Sequence, residues 1–203
     1  MMRLPPRPGF LMATALHESA SYRSVDITRR LLERAAPPRD ETPALLALTQ
    51  TIAEQPERAL QALVDSAMVL TSAQSAGISI ADVDGTEEVF RWVATGGQLA
   101  GHAGGTMPRW FSPCGDVLRT QQQLLMEMPV RHYPYIAQLG LPIHEALLSP
   151  IHRDGVPVGT VWVVMHDDSR RFDAEDARVL RSLTQFVSDT ADLLDRLSFG
   201  LTF

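Results

Sequence analysis

The chain has 203 residues, 45% hydrophobic and 21% charged, which is the balance of one globular domain rather than of a disordered chain. Its net charge of −6 argues against a nucleic-acid groove, which needs a clustered basic surface, and no apolar run approaches the ~20 residues of a membrane span. One cysteine cannot close an internal disulfide, and the short apolar run 10–16 after Arg3 and Arg7 has no convincing cleavage site behind it, so the cytoplasm is the expected compartment.

Residues 1–22 carry Pro5, Pro6, Pro8 and Gly9 and read as mobile. A short helix is expected over 24–36 (SVDITRRLLERAA), stopped by Pro37 and Pro38. Together these make an N-terminal extension, 1–41, ahead of a main domain, 42–203. Thr42 as N-cap with Pro43 at the first helical position starts a helix. Pro56 opens the next, in which Leu60, Leu63, Val64, Ala67 and Met68 follow the 3.6 period and define one buried face. The period then falls to two. AGISIADVDGTEEVFRWVA reads as a hairpin around Asp84 and Gly85.

The glycine-rich stretch 95–106 (TGGQLAGHAGGT) lacks the lysine and the strand–helix context of a phosphate loop and reads as a flexible connection. Ser112 as N-cap and Pro113 at the first position start a helix in SPCGDVLRTQQQ. LLMEM is a short strand, and PYIAQLG a helical turn ended by Gly140 and Pro142. EALLSPIHRDGVPVGTVWVVMHD is a strand–turn–strand with its turn at Asp154 and Gly155. A two-residue turn would pair Ser149 with Thr160, and a three-residue turn with a glycine bulge would pair Leu148 with it; both registers stay open. Asp173 caps a long C-terminal helix, and RRFDAEDAR reads as capping plus a solvated face that needs no partner.

Strands and helices do not alternate as a parallel sheet requires, so the class is α+β: an antiparallel sheet with terminal helices on one face and short irregular elements on the other. LLSPI and VGTVWVVM are apolar on both parities, as in a sheet buried on both faces. On the last strand Val161, Val163 and Met165 suit the helices, and Thr160 and Trp162 suit a pocket with few polar groups. Trp162 reads equally as core filler. Cys114, second in its helix, reads either as a ligand-facing thiol favoured by the helix dipole or as a small buried side chain. The loop 131–135 (RHYPY) offers His132, Tyr133 and Tyr135 as a pocket lid or as a cover for the core edge. Six scattered histidines without ligand spacing give no metal site, and His144 and His166 are placed to meet across a ladder.

Several segments agree in order with a known family. SAGISIADVDG, EEVFRWVATGG, FSPCGDVL, RHYPYI and the run from Glu145 to Leu180 together resemble the GAF domains near the N-terminus of bacterial two-component sensor histidine kinases. The resemblance covers about residues 43–197. It implies a central antiparallel sheet of about six strands, backed by N- and C-terminal helices, with a small-molecule pocket on the other face. A kinase needs a phospho-accepting helix and an ATP-binding domain, for which the sequence has no room, so a stand-alone module is expected. Of the cyclic-nucleotide signature Phe172 and Asp176 match, but Ala177 replaces a glutamate. Phytochrome and cyanobacterial bilin motifs are missing. Cys114-Gly115 echoes the GAF-fold free methionine sulfoxide reductases, which depend on further cysteines.

The expected function is a non-enzymatic sensor in signal transduction that binds a small molecule, or a signalling partner protein, through Cys114, Trp162, Thr160, Tyr133, Tyr135 and His132, with its cofactor unknown. A thiol enzyme using Cys114 and a ligand-free dimerisation scaffold are the alternatives. Two seven-spaced apolar rows in the last helix (Val179, Phe186, Leu193 and Leu180, Val187, Leu194), with an apolar SFGLTF tail, lead us to expect a two-fold homodimer through the terminal helices.

Overall fold

The computed structural model describes residues 34–197, with side chains described as far as residue 190. The tail SFGLTF and most of the helix expected over 24–36 lie outside the described residues, and residues 34–36 are not helical. Two helices come first, α1 (Thr42–Glu54) and, after a 3-10 turn at Pro56–Arg58, α2 (Ala59–Thr71). Strands β1 (Ser75–Asp84), β2 (Glu87–Gly97) and β3 (Thr106–Pro108) follow, then α3 (Pro113–Thr120) and β4 (Leu124–Glu127). Two 3-10 turns, Pro129–Arg131 and Pro134–Leu139, lead to β5 (Glu145–Arg153), β6 (Val156–Met165) and the long α4 (Ala174–Leu197). The strands form one sheet in the order β3-β2-β1-β6-β5-β4, with every pairing antiparallel.

The sheet is buried on both faces. Ile78, Leu147, Val161 and Val163 pack against Leu63 and Val64 of α2 and Leu180 and Leu183 of α4. On the opposite face Phe90, Trp92, Leu148, Trp162 and Val164 pack against α3 and the short turns. Each parity of β6 thus has its own partner layer, which is why the strand carries no polar alternation.

Local start signals differ from the sequence in detail. Helix α1 begins at Thr42 itself, with Glu41 preceding it and Pro43 in its first turn, because the Asp40 carboxylate accepts the Thr42 N–H at 3.0 Å and starts the turn one residue early. Ser112 does cap α3: its Oγ accepts from the Gly115 N–H at 3.0 Å. Asp173 caps α4 by accepting from the amides of Glu175 and Asp176, each at 2.9 Å.

The β5–β6 register is neither of the two expected. The turn does have two residues, Asp154 (φ 51°) and Gly155 (φ 77°), the positive angles a tight hairpin needs. A bulge then shifts the ladder, so that Thr160 faces Pro150 and Trp162 faces Leu148. The extra residue, Val158, precedes Gly159, where a Cβ would stand 2.4 Å from the Ser79 carbonyl oxygen of β1. A second bulge on β2 opposite Ile78/Ser79 sends Trp92 to one core and Ala94 to the other.

Two surfaces expected to be loose or solvated are tied down. The glycine-rich stretch runs from the end of β2 to the first residue of β3, and it folds back on β2 through Trp92 N–H to Gly105 O (2.9 Å) and Gly104 N–H to Trp92 O (2.8 Å). RRFDAEDAR is no free charged face. Asp176, fully buried, accepts from Arg170 at 2.7 Å and from Arg39, and Arg178 makes a bidentate pair with Glu41 at 2.6 Å. Residues 34–41 are held across the start of α4 by these bonds and by Arg34, which donates to the Phe172 carbonyl at 2.7 Å.

Candidate functional site

The site lies between the Trp162 face of the sheet and the segments that follow β3 and β4. Its floor is set by a close approach: a Cβ on Gly77 would stand 2.2 Å from the Trp162 ring, so the indole covers that glycine. The Trp162 N–H donates to Ser79 Oγ at 2.9 Å, and its ring meets Trp92 with centroids 5.4 Å apart. Gly77→Ala is therefore expected to lift the indole off the sheet and cost ~1–3 kcal/mol, the usual range for overpacking. Denaturant unfolding checks the stability, and the Trp162 emission maximum should move with it.

Helix α3 supplies the opposite wall. Pro113 and Cys114 stand at its start, where Cys114 is 1% exposed and accepts from Thr160 Oγ1 at 3.2 Å. Burial pushes the thiol above its ordinary pKa. Desolvation thus outweighs the help of the helix N-terminus, and the neutral thiol behaves as a small apolar wall. We expect the folded protein to resist thiol alkylation at pH 8 and Cys114→Ser to leave the fold intact. Labelling as fast as in the unfolded chain would contradict this.

A buried hydrogen bond holds the segment 131–135. Tyr133, 1% exposed, donates from its hydroxyl to Asp116 Oδ2 at 2.6 Å, and Arg119 donates to Oδ1 of the same carboxylate at 3.1 Å. Burial, and then the neighbouring Asp116 charge, push the Tyr133 phenol well above its ordinary value. Phe111 meets the Tyr133 ring edge-on at 5.3 Å, and Tyr135 lies 6.4 Å from it.

Between these layers is a cavity of about 50 Å³. Trp92, Ala146, Leu148, Trp162 and Val164 line it from the sheet, and Pro113 and Cys114 from α3. Leu99, Met107, Pro129, Ile136, Leu139 and Ile143 close it from the connections. Of the residues the sequence singled out, Cys114 and Trp162 stand on these walls. Thr160 lies behind Cys114, bonded to its sulfur. Tyr133, Tyr135 and His132 are not among the lining residues; they sit one layer back, and Ile136 and Leu139 of the next turn reach the cavity instead.

Sequence reasoning missed Trp92, Leu99 and Asp116. The aromatic parity of Phe90 and Trp92 was the available signal for the first. Asp116 read as an ordinary acidic first-turn residue, and nothing local links it to a tyrosine seventeen positions on. His144 and His166 do not form the expected solvated pair. His166 is buried, with Nδ1 donating to the Pro142 carbonyl at 2.6 Å and Nε2 beside Ser75 Oγ at 2.8 Å. Among the described residues no cluster of histidine, cysteine or acidic side chains could hold a metal, and no helix is long and apolar enough to cross a membrane.

Among the described residues, the buried Trp92 Nε1 and His102 Nδ1 have no hydrogen-bond partner. The Trp92 and His102 rings lie 6.0 Å apart.

Comparison with known proteins places this geometry. No curated protein matches the chain. Among solved structures it is similar to the GAF domain of an Acinetobacter phosphoenolpyruvate-protein phosphotransferase, with TM-score 0.64 and 14% identity over 80% of this chain and 98% of that one. It is similar to the GAF-B domain of DevS from Mycobacterium smegmatis, with TM-score 0.56 and 17% identity over 71% and 100%. It is also similar to a free methionine-R-sulfoxide reductase from Neisseria meningitidis, with TM-score 0.58 and 17% identity over 81% and 99%. At these identities the likeness establishes the fold alone. The family model for the GAF domain matches residues 53–190, most of the folded unit, and the chain belongs to the GAF domain family.

Proposed function

We propose that the protein is a non-enzymatic sensory or regulatory module that binds a small molecule in the cavity under Trp162 and reports it through its terminal helices. The observation that carries this reading is the apolar cavity itself, placed between a rigid sheet face and the short segments around α3. The buried neutral thiol of Cys114 supports a wall role over a thiol enzyme.

A route to the helices is built into β5. Ala146 lines the cavity, and its neighbour Glu145, fully buried, accepts from the Phe172 amide at 2.8 Å just before α4. Arg34 and Arg171 bind the same carboxylate at 3.2 and 3.1 Å. A ligand that favours one packing of the cavity wall would shift the population of α4 positions through this carboxylate.

The reading includes a cytoplasmic two-fold homodimer and a signalling partner protein. Leu46 of α1 (61% exposed) and Val69 of α2 (77% exposed) leave apolar surface on the helical layer for a second copy. Native mass spectrometry of the purified protein tests both parts. The expected result is a dimer mass plus a retained small molecule. An empty monomer that no small-molecule library perturbs at the cavity would overturn the reading.

A further inference from the structure

We infer that the cavity receives a small hydrocarbon group, of about two or three carbon atoms, and offers it neither a hydrogen bond nor a charge. This rests on the reading of the cavity as a ligand site and names the chemistry that the site accepts.

The walls present carbon and sulfur only. No nitrogen or oxygen atom is exposed on them. The lining side chains that could form hydrogen bonds are the two tryptophans and Cys114. The Trp162 N–H donates to Ser79 Oγ at 2.9 Å, and the Cys114 sulfur accepts from Thr160 Oγ1 at 3.2 Å. Trp92 Nε1 is buried and gives the cavity no surface. Pro113 and Pro129 have no N–H to donate. The backbones of β5 and β6 are spent on their own ladder, where Ala146 faces Val164 and Leu148 faces Trp162.

Such a wall selects by exclusion. A hydroxyl, carbonyl or ammonium group moved from water into the cavity loses its hydration and gains no partner. A methyl group loses no hydrogen bond and gains dispersion contact with the packed wall. Water competes poorly for the same reason, since a bound water needs about two to four polar partners. Volume then sets the size. At about 50 Å³ the cavity is about a third of an apolar protein cavity of ~150 Å³ that takes benzene, so a chain of ~2–3 carbons suits it and a ring does not. Two sources supply that chemistry: a free molecule of this size, or the hydrocarbon end of a longer chain whose polar head stays outside.

Propane, ethanol and ethylammonium have the same length and differ only in the end group, a methyl, a hydroxyl or an ammonium. Binding is followed by methyl resonances of ¹³C-labelled protein: Ile136, Leu148 and Val164 on the wall, with Val161 and Val163 of the opposite core as reference. In the wild type, propane is expected to shift the wall methyls saturably and to leave the reference methyls in place. Ethanol and ethylammonium should bind at least about tenfold more weakly, because each buries a polar group without a partner. Ala146→Leu fills the cavity from its sheet side and should abolish the propane shift. Hexanoate separates the sources: displacement of propane points to the end of a longer chain, and propane binding that hexanoate leaves untouched points to a free small molecule, either result upholding the assignment. Ethanol or ethylammonium binding as tightly as propane overturns it and leaves the cavity as a ligand site. A propane shift that persists in folded Ala146→Leu places the binding elsewhere and overturns it too. If no probe shifts a wall methyl of the folded wild type, the ligand-site reading fails with it. The wild-type comparison decides the matter even where Ala146→Leu does not fold.

Discussion

Replacing Asp176 with alanine should cost about 3 kcal/mol or more of folding stability, the magnitude found when one partner of a buried ion pair is removed. Asp176 is fully buried and serves three parts of the chain together. It accepts from the Asp173 amide at 2.9 Å in the first turn of α4, from Arg170 and from Arg39 of the segment before α1. Those two arginines also donate to Leu70 and Thr71 carbonyls at the end of α2, each at 2.8 Å. Alanine leaves both guanidinium groups about a quarter exposed, with only Asp173 at 3.3 Å to answer them. Asp176→Asn keeps acceptor geometry and should lose less. Urea unfolding of the three proteins, with the exposed Asp65→Ala as a control near zero, gives the comparison; an Asp176→Ala midpoint within error of wild type would show the network to be energetically idle. The same corner has an acid limit. Hydrogen bonds from Arg178 hold the Glu41 carboxyl down at about 2, against 4.5 ordinarily. Its folded pKa is lowered, so its contribution is fully present above pH 4.5 and is lost as pH falls towards 2.

Trp162→Ala is expected to be the most damaging single change at the cavity, costing ~3–5 kcal/mol as other aromatic-to-alanine truncations in cores do. It removes the ring that covers Gly77, opens the floor under Trp92 and leaves buried Ser79 Oγ without its donor. Ligand retention should disappear even at temperatures where the variant is folded. The exposed Asp65→Ala, again as control, should change neither property measurably. A folded Trp162→Ala protein that keeps its ligand would remove Trp162 from the site.

The layers of this fold were readable because they rest on local chemistry. The double-parity apolar runs of β5 and β6, the caps at Ser112 and Asp173 and the turn at Asp154 and Gly155 each act within a few residues. What escaped depends on partners far along the chain. The bulges at Val158 and on β2 are set by how neighbouring strands approach, Gly159 against Ser79 for one, and a bulge moves every later side chain to the other face. That displacement hid Pro150 as the neighbour of Thr160. The Tyr133–Asp116 bond and the Arg39–Asp176 pair likewise join groups whose types suit a solvated surface as well as a buried one. The aromatic loop 131–135 was noticed for its rings, yet in the fold those rings brace the cavity from behind.

The sheet order β3-β2-β1-β6-β5-β4 carries a consequence for how such a protein can change over generations. Two hairpins, β1–β2 and β5–β6, meet through β1 and β6 and hold the helix-packed core between them. Everything between β2 and β5, residues 98–144, contributes only the two edge strands, α3 and the short turns, and most of the cavity wall comes from it. On the proposed function, most of the recognition surface is thus written in one uninterrupted cassette, tied to the helix-packed core through β4, where Leu125 is buried and Gln123 donates to the Ala177 carbonyl at 3.0 Å. Insertion, deletion or recombination in its connections, away from β4, would then rewrite the cavity wall while the two hairpins and the helical layer are inherited whole.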